Sequence, residues 1–361
     1  MVASSAFPPS GRTWLRSVTT LKYRLIGAAF ELLWASGVTH LVRKRSKARG
    51  VIFTLHRVLP DDPADFAPNA ILQVKPDFLA FVITRVRELG FDIVDMDEAA
   101  RRIEAETPSK PFVVFTFDDA YRDNLRFALP VLRRQQCPFT LYVPTALVDG
   151  VGEVWWQALE DIIAGQNALA VTYAGETEYY ATANLEEKQR AYDALYRRMR
   201  TMPEADRVKL IRDIAGQYGF DLKQHCRELI MDWTELRHFA ADPLCTIGAH
   251  TVHHYELAKL GPLDARNEIE QSVRILKAQF GKTPLHLSYP IGGTASAGPR
   301  EFSLARDLGL RTAVTTRPGG LYAGHRHSLH SLPRVSLNGL FQSKRYVDVF
   351  ATPAVFAMLP G

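Results

Sequence analysis

Short apolar segments alternate with helical segments over most of the chain, and this alternation restricts the fold more than any other feature. The apolar segments are GVIFTLHRV from Gly50, PFVVFTFDD from Pro111, PFTLYVPT from Pro138 and LCTIGAHTVHH from Leu244. They are apolar throughout rather than at every second position, which is typical of strands that are buried on both faces. Strands that alternate with helices predict parallel βαβ units, and therefore an α/β fold.

The alternation is interrupted between about residues 151 and 230. This region contains helical patterns, such as LEEKQRAYDALYRRMRTM from Leu185, and a hairpin pattern, ALAVTYAGETEYYATA from Ala168. We therefore predict an N-terminal helical and basic extension (1–49), a main α/β domain (50–345) with an insertion or lid (about 151–230), and a C-terminal tail (346–361).

Composition excludes several classes of protein. The chain has 361 residues, 47% of them hydrophobic and 23% charged, which is ordinary for a globular protein. Its three cysteines are widely spaced, so neither a disulfide framework nor a cysteine-ligated metal is expected. The net charge of +5 is modest. We expect no nucleic-acid partner.

The N-terminal extension allows two interpretations. YRLIGAAFELLWASGVTHLV from Tyr23 is apolar but contains Arg24, Glu31 and His40, so a membrane-spanning helix is not expected. It could be a helix packed on the domain. With the basic run VRKRSKARG from Val42, residues 23–49 could instead make peripheral contact with a membrane. We predict no cleavable signal peptide and a cytoplasmic location, with the inner membrane face as one option.

Two clusters of chemically active residues follow strands. Asp118 and Asp119 end the segment FVVFTFDD, and His250, His253 and His254 follow LCTI. In parallel α/β folds, functional groups gather at the carboxyl ends of the strands. On a helical turn, positions i and i+4 share a face, so His250 and His254 could bind one ion; His250 with His253 is the alternative.

One aspartate and two histidines form a set suited to Zn²⁺ or a similar divalent cation. The second aspartate would then be free to act as a general base on a water molecule whose pKa the cation lowers. The alternatives are an N-cap with a surface carboxylate for the doublet, and a chance cluster on a solvated turn for the histidines.

The motifs TFDDAYRDN, HTVHH and SYPIGG, in this order, resemble those of the NodB-homology polysaccharide deacetylases, carbohydrate esterase family 4. The resemblance covers roughly residues 50–340 and implies a distorted (β/α)7 barrel. It implies that Asp118 is the catalytic base and that Asp119, His250 and His254 bind the metal. His253 would be a bystander or a contact at the rim.

Two positions depart from the family pattern. Ala120 replaces the usual glycine after the doublet, which is a small change. Ser288 stands where the family has an arginine that orients the base, which leaves that orientation without its usual partner. Tyr289, Pro290 and Gly292 are expected to form a wall of the substrate groove, or else a tight turn that requires proline and glycine.

The general acid is less clearly marked. The late Leu-x-His motif of the family is not evident in GHRHSLHSLPRV, which contains His325, His327 and His330. His56, at the end of the first predicted strand, resembles the acid of family members that take it from this position. Arg334 resembles a recurring arginine near the site, and could hold a carboxylate with two hydrogen bonds.

These observations predict a hydrolase that removes acetyl groups from an N- or O-acetylated oligo- or polysaccharide, with a cation-activated water as nucleophile. The expected cofactor is Zn²⁺, with Co²⁺, Ni²⁺ or Mn²⁺ as alternatives. Trp156, in the insertion, is a candidate for stacking on a sugar ring. An allantoinase-like amidohydrolase on the same scaffold and a non-catalytic glycan-binding protein with a degenerate site are the alternative functions.

Overall fold

The computed structural model describes residues 18–358 of the chain. Strands in this part are, in chain order, β1 (Gly50–Leu55), β2 (Arg57–Val58), β3 (Gln73–Val74), β4 (Asp92–Ile93), β5 (Phe112–Phe117), β6 (Phe139–Val143), β7 (Ala168–Tyr173), β8 (Glu176–Ala181), β9 (Cys245–Ala249), β10 (His286–Ser288), β11 (Thr312–Val314) and β12 (Val335–Ser336).

The α-helices of the same part are α1 (Val18–Ala35), α2 (Val38–Arg45), α3 (Pro76–Glu88), α4 (Met96–Glu104), α5 (Leu129–Arg134), α6 (Thr145–Val148), α7 (Trp155–Ala164), α8 (Leu185–Thr201), α9 (Glu204–Gln217), α10 (Leu222–Leu229), α11 (Trp233–Ala240), α12 (Pro262–Phe280), α13 (Pro299–Asp307) and α14 (Tyr346–Phe350). Short 3-10 segments lie at Pro68–Leu72, Leu257–Lys259, Ala323–His327, Leu329–Ser331, Gly339–Phe341 and Pro353–Met358.

The main sheet is parallel. Its strands lie in the order β11-β10-β9-β6-β5-β1-β12, and β4 pairs with the beginning of β5. Every residue of β1 and of β5 is buried, because helices or the curled sheet itself cover both faces. The α/β fold predicted from the apolar segments is confirmed.

The sheet curls into a partial barrel. β10 and β5 are separated by two strands, which would place them about 14 Å apart in a flat sheet. Yet Oγ of Ser288, the last residue of β10, lies 3.2 Å from Oδ2 of Asp118, the residue after β5. The carboxyl ends of the strands therefore converge on one small region.

The region between β6 and β9 is the longest connection between consecutive strands of the main sheet. It contains the antiparallel β7–β8 hairpin, whose turn residues Ala174 and Gly175 both have positive φ, and helices α7 to α10. The hairpin and the helices predicted here are confirmed. The domain boundaries drawn from the sequence stay a prediction.

The N-terminal helix packs on the domain. Phe30 of α1 is buried, and its ring contacts those of Phe341, Tyr346 and Phe350 near the C-terminus. Because α14 is buried in this cluster, the segment that begins at residue 346 is in part a packed helix rather than a loose tail. No helix among the described residues is long and apolar enough to cross a membrane.

A π-helical segment, Asn124–Ala128, leads directly into α5, and Pro130 lies near the start of α5. Proline has no N–H to donate, and a helix is commonly kinked or interrupted next to one. Helix α11 is capped by Asp232, in a capping box with Glu235.

The close approach of β1 to β5 requires a glycine at position 50. A Cβ atom at Gly50 would lie 2.5 Å from the carbonyl oxygen of Phe112. We expect Gly50→Ala to lower the free energy of unfolding by about 1–3 kcal/mol, measured by urea denaturation. Gly216 of α9 is the matched control: a Cβ there meets nothing within 4 Å, so Gly216→Ala should be neutral or stabilising. Equal stability of the two variants would contradict the described packing.

Candidate metal centre and catalytic site

The two carboxylates lie at the carboxyl end of β5, where the backbone makes an unusual turn. Asp118 and Asp119 are both buried. Asp119 and Ala120 have φ values of 74° and 58°, in the left-handed region that non-glycine residues seldom adopt. Such conformations are concentrated at functional sites. The alanine found in place of the family's glycine therefore adopts a conformation that glycine would adopt at less cost.

His250 and His254 approach Asp119 from the end of β9. Oδ1 of Asp119 lies 3.5 Å from Nε2 of His250 and 3.3 Å from Nε2 of His254. One ligand atom from each of the three residues lies within 4.8 Å of the others. The structure thus brings together the three residues that the sequence proposed as metal ligands.

The expected helical turn is wrong for this motif. The segment 250–254 is irregular, with Thr251 and His254 at φ values of 63° and 58°. Glu268 of α12 holds the segment because it accepts hydrogen bonds from the backbone N–H groups of Val252 and His253. The two imidazoles therefore meet through a strained loop and not through i, i+4 geometry.

His253 lies apart from the three converging residues. Its side chain is 47% exposed, and its Nδ1 is 2.6 Å from Oε1 of Glu268. His250 and His253 therefore do not face a common position at which they could bind one ion.

The polar groups around Asp119 fit a divalent cation. Oδ1 of Asp119 is buried and has no hydrogen-bond partner among the described residues. Nδ1 of His250 donates to the backbone carbonyl of Ser288, 2.7 Å away, so Nε2 is the ring nitrogen left to face the carboxylate. One carboxylate oxygen and two imidazole nitrogens are ligands suited to Zn²⁺ and related ions.

The charges of this cluster are strongly coupled. Burial alone would raise the pKa of Asp119, but the imidazoles of His254 and His250 outweigh burial and lower it. Burial alone would lower the pKa of His250, but the carboxylates of Asp119 and Asp118 raise it. A buried carboxylate is thus kept ionised next to two nitrogen ligands.

Asp118 has a different environment, dominated by Arg334. Nη1 and Nη2 of Arg334 donate to Oδ1 and Oδ2 of Asp118 at 2.8 and 2.7 Å, and both side chains are buried. Burial would raise the pKa of Asp118, but the guanidinium outweighs it and the pKa is lowered. The bidentate contact has the geometry that the sequence suggested for Arg334.

Ser288 takes part in this network. Its hydroxyl lies 2.9 Å from Nη2 of Arg334 and donates to Oδ2 of Asp118. In the sequence motif, Ser288 stands in place of the arginine that orients the base in the family. In the structure, Arg334 enters from just before β12 and supplies a guanidinium for Asp118.

His56 follows β1, next to β5 in the sheet. Burial lowers the pKa of His56, and the nearby carboxylates of Asp119 and Asp118 partly offset this. Its backbone carbonyl accepts a hydrogen bond from Nδ2 of Asn124, and the next residues are held by Asp123, which bonds to Nε of Arg57 and to N–H of Val58.

The predicted groove wall is largely buried. Tyr289 is 0% exposed, and its hydroxyl donates to the carbonyl of His330, so its side chain is a core residue and not a substrate contact. Pro290 is also buried. It begins a turn in which N–H of Gly292 donates to its carbonyl around Ile291, whose φ is 61°. The segment is therefore the tight turn that the sequence offered as the alternative to a groove wall.

Trp156 contacts a metal-ligand candidate rather than open solvent. It is 5% exposed, its ring centroid lies 4.9 Å from that of His254, and its Nε1 donates to the hydroxyl of Tyr121. The stacking of Trp156 on a sugar, suggested by the sequence, is therefore restricted to the small exposed edge of the ring.

The insertion is also anchored just beyond His254. Glu256 is buried and accepts two hydrogen bonds from Arg200 of α8, both at 3.1 Å. Its carboxylate also contacts Lys259 and the hydroxyl of Ser296. These buried ion pairs join the insertion to the loop that carries His250 and His254.

The C-terminal histidines have other partners. His330 is 2.7 Å from the carbonyl of Leu310, and His325 accepts a hydrogen bond from N–H of Tyr322. His327 contacts Arg326.

Sequence reasoning missed three supporting residues: Asp123, Asn124 and Glu268. The first two belong to the quoted motif TFDDAYRDN, so their proximity to the doublet was a usable signal. Glu268 lies on a helix that is amphipathic throughout, and no local pattern distinguishes it from its neighbours.

A sequence model of the family described as polysaccharide deacetylase matches residues 105–313. The chain belongs to this family. The Bacillus subtilis (strain 168) protein YxkH, which bears the same family name, is 31% identical over 87 residues. That alignment covers 22% of this chain and only 30% of the relative.

Solved structures of deacetylases have the same fold. Streptococcus pyogenes deacetylase PplD, in complex with acetate, has a TM-score of 0.52 at 18% identity, over 85% of this chain and 99% of its own. IcaB from Ammonifex degensii also has a TM-score of 0.52 at 18% identity, over 84% of this chain and 97% of its own. The predicted NodB-type barrel is confirmed.

The buried pair of Arg334 and Asp118 generates a stability prediction. Arg334→Met would leave the carboxylate of Asp118 buried without its cation, and we expect a loss of about 3–5 kcal/mol in the free energy of unfolding. Arg345→Met is the control, because Arg345 forms an exposed pair with Glu31 and should contribute about 0–1 kcal/mol. Urea denaturation of the full chain measures both; a similar small loss in the two variants would count against the role of the buried pair.

Proposed function

We propose that this polysaccharide deacetylase family member is a hydrolase that removes acetyl groups from an N-acetylated, or O-acetylated, oligo- or polysaccharide. The observation that supports this most directly is the meeting of two differently held carboxylates. Asp119 lies beside two imidazoles, whereas Asp118 lies beside a guanidinium. Adjacent carboxylates whose environments differ in this way suit different roles in one reaction.

Asp119, His250 and His254 would hold a divalent cation, with Zn²⁺ as the first expectation and Co²⁺, Ni²⁺ or Mn²⁺ as alternatives. When bound, such a cation supplies Lewis acidity and lowers the pKa of water. The chain's own contribution is to fix the ligands: the carbonyl of Ser288 orients His250, and the ring of Trp156 packs on His254.

Asp118 is the proposed general base. A base must be ionised before it can accept a proton, and Arg334 keeps the pKa of Asp118 low in a buried site. The attacking water loses a proton to Asp118, its oxygen bonds to the acetyl carbon, and the bond from that carbon to the sugar nitrogen or oxygen breaks. Acetate and the deacetylated sugar are the products.

His56 is the proposed general acid. The leaving nitrogen or oxygen needs a proton as its bond to the acetyl carbon breaks. The lowered pKa of His56 makes its protonated form a stronger acid, while that form is correspondingly less populated near neutral pH. Asn124 and Asp123 hold the backbone on either side of this side chain.

An allantoinase-like amidohydrolase would use similar groups, so the substrate has to separate the two functions. Release of acetate from N-acetylated chitooligosaccharides supports the deacetylase. Ring opening of allantoin without acetate release would favour the amidohydrolase. No turnover of either substrate by cation-loaded protein would favour a non-catalytic glycan-binding protein. The cytoplasmic location expected from the sequence stays a prediction.

Loss of a proposed ligand should remove the cation. We expect Asp119→Ala and His250→Ala to bind at least about tenfold less Zn²⁺ than the unsubstituted chain, because each removes one of three protein ligands. Isothermal titration of the metal-stripped chain measures binding directly. His253→Ala is the matched control from the same loop, and should bind Zn²⁺ normally because His253 points to Glu268. Normal binding by Asp119→Ala would refute the proposed site.

The base and the acid should be separable from cation binding. We expect Asp118→Asn and His56→Ala to retain Zn²⁺ but to lower kcat for acetate release by about 10²–10⁴-fold, the usual contribution of general acid–base catalysis. Acetate release and metal content are measured on the same samples, and His327→Ala, away from the cluster, is the control. A near-normal kcat for Asp118→Asn would show that another group takes the proton.

A further inference from the structure

Helix α1 exposes large apolar side chains as well as burying others. One side, containing Tyr23, Ile26, Phe30 and Leu33, packs against the hydrophobic core. Clustered apolar side chains that stay exposed normally mark a contact with a partner or with lipid. In the isolated chain Leu25 and Leu32 of α1 have neither contact.

Further exposed apolar side chains lie at the end of α1 and on α2. Leu25 and Leu32 of α1 are 63% and 71% exposed, and Trp34, Val38 and Leu41 are also exposed. Only Ser36 and Gly37 separate the two helices. We call these five apolar residues the α1–α2 face.

Exposed basic side chains lie on the same two helices and just after them. Arg24, Arg45 and Lys47 are exposed, whereas Arg49 is used internally, because its guanidinium donates to backbone carbonyls of Arg102 and Ile103. The acidic residue of this region is Glu31, which is paired with Arg345. The guanidinium of Arg345 also lies 4.7 Å from the ring centroid of Trp34.

We propose that the α1–α2 face docks on an anionic lipid bilayer, lying in its surface. Exposed leucines with a tryptophan and flanking arginine and lysine are the residues that interfacial helices use, and the cations complement the negative headgroups. A second copy of the chain is the less suitable occupant. A two-fold interface would bring the same cations from both copies around one apolar patch, with no acidic partners for them.

The proposal is tested by co-sedimentation of the full chain with vesicles of phosphatidylcholine, with and without phosphatidylglycerol. We expect binding to the vesicles with phosphatidylglycerol, and at least tenfold weaker binding in about 1 M salt, where the Debye length is about 3 Å. Failure to bind either vesicle, or equal binding to both, overturns the proposal.

Matched variants test whether the α1–α2 face is the part of the protein that binds the vesicles. Leu25→Ser and Leu32→Ser should each weaken vesicle binding about tenfold, because each removes an apolar side chain from the lipid contact. Leu263→Ser, at an equally exposed leucine on α12, should bind normally. Arg45→Gln should weaken binding, whereas Arg306→Gln, at an exposed arginine of α13, should not. Thermal unfolding midpoints check that all variants fold, because every substituted side chain is exposed.

Two results would point to other occupants. A dimer in solution that Leu32→Ser dissociates, without vesicle binding, would assign the face to a second copy and overturn the membrane proposal. Vesicle binding that Leu25→Ser and Leu263→Ser weaken equally would show that the contact lies elsewhere, and would also overturn it. Neither result depends on the deacetylase activity.

Discussion

The buried contact between Arg334 and Asp118 is the constraint on which the site depends. A guanidinium without access to water is costly unless its donors are satisfied, and here Asp118, Ser288, Thr116 and the carbonyl of Thr315 satisfy them. These partners come from β5, β10 and the segment after β11, so satisfying one cation draws several strand ends together. The same contact joins the strand ends of the partial barrel and keeps the proposed base ionised.

The site is also where the backbone is most strained. Among the described non-glycine residues, the positive φ values include those of Asp119, Ala120, Thr251, His254 and Ile291, each at the end of a barrel strand or just after it. Each such conformation costs about 1–3 kcal/mol and persists only where the surroundings impose it. Here Glu268 and the Ser288–His250 hydrogen bond supply part of that restraint. The stability of the rest of the barrel therefore offsets the strain that brings Asp119, His250 and His254 together.

Much of the fold could be predicted because its signals are local. The uniformly apolar strands and the β7–β8 hairpin each follow from a few consecutive residues. The candidate site was predictable in part, because Asp118, Asp119, His250 and His254 follow strands whose ends must meet. The burial of Tyr289 and Trp156 was not, because it depends on which segments cover them.

The sequence by itself determined a parallel α/β fold and the residues that could bind a cation, since periodicity and residue type are local properties. Tertiary structure decided how those residues are used. The linear motif has serine at position 288 in place of the family's arginine. Arg334, distant in the chain, nevertheless reaches Asp118 because the sheet curls. His253 and His254 are adjacent in sequence, but only His254 faces Asp119, because a left-handed residue and Glu268 turn the loop. Long-range closure and backbone strain leave no signature in a short stretch of sequence.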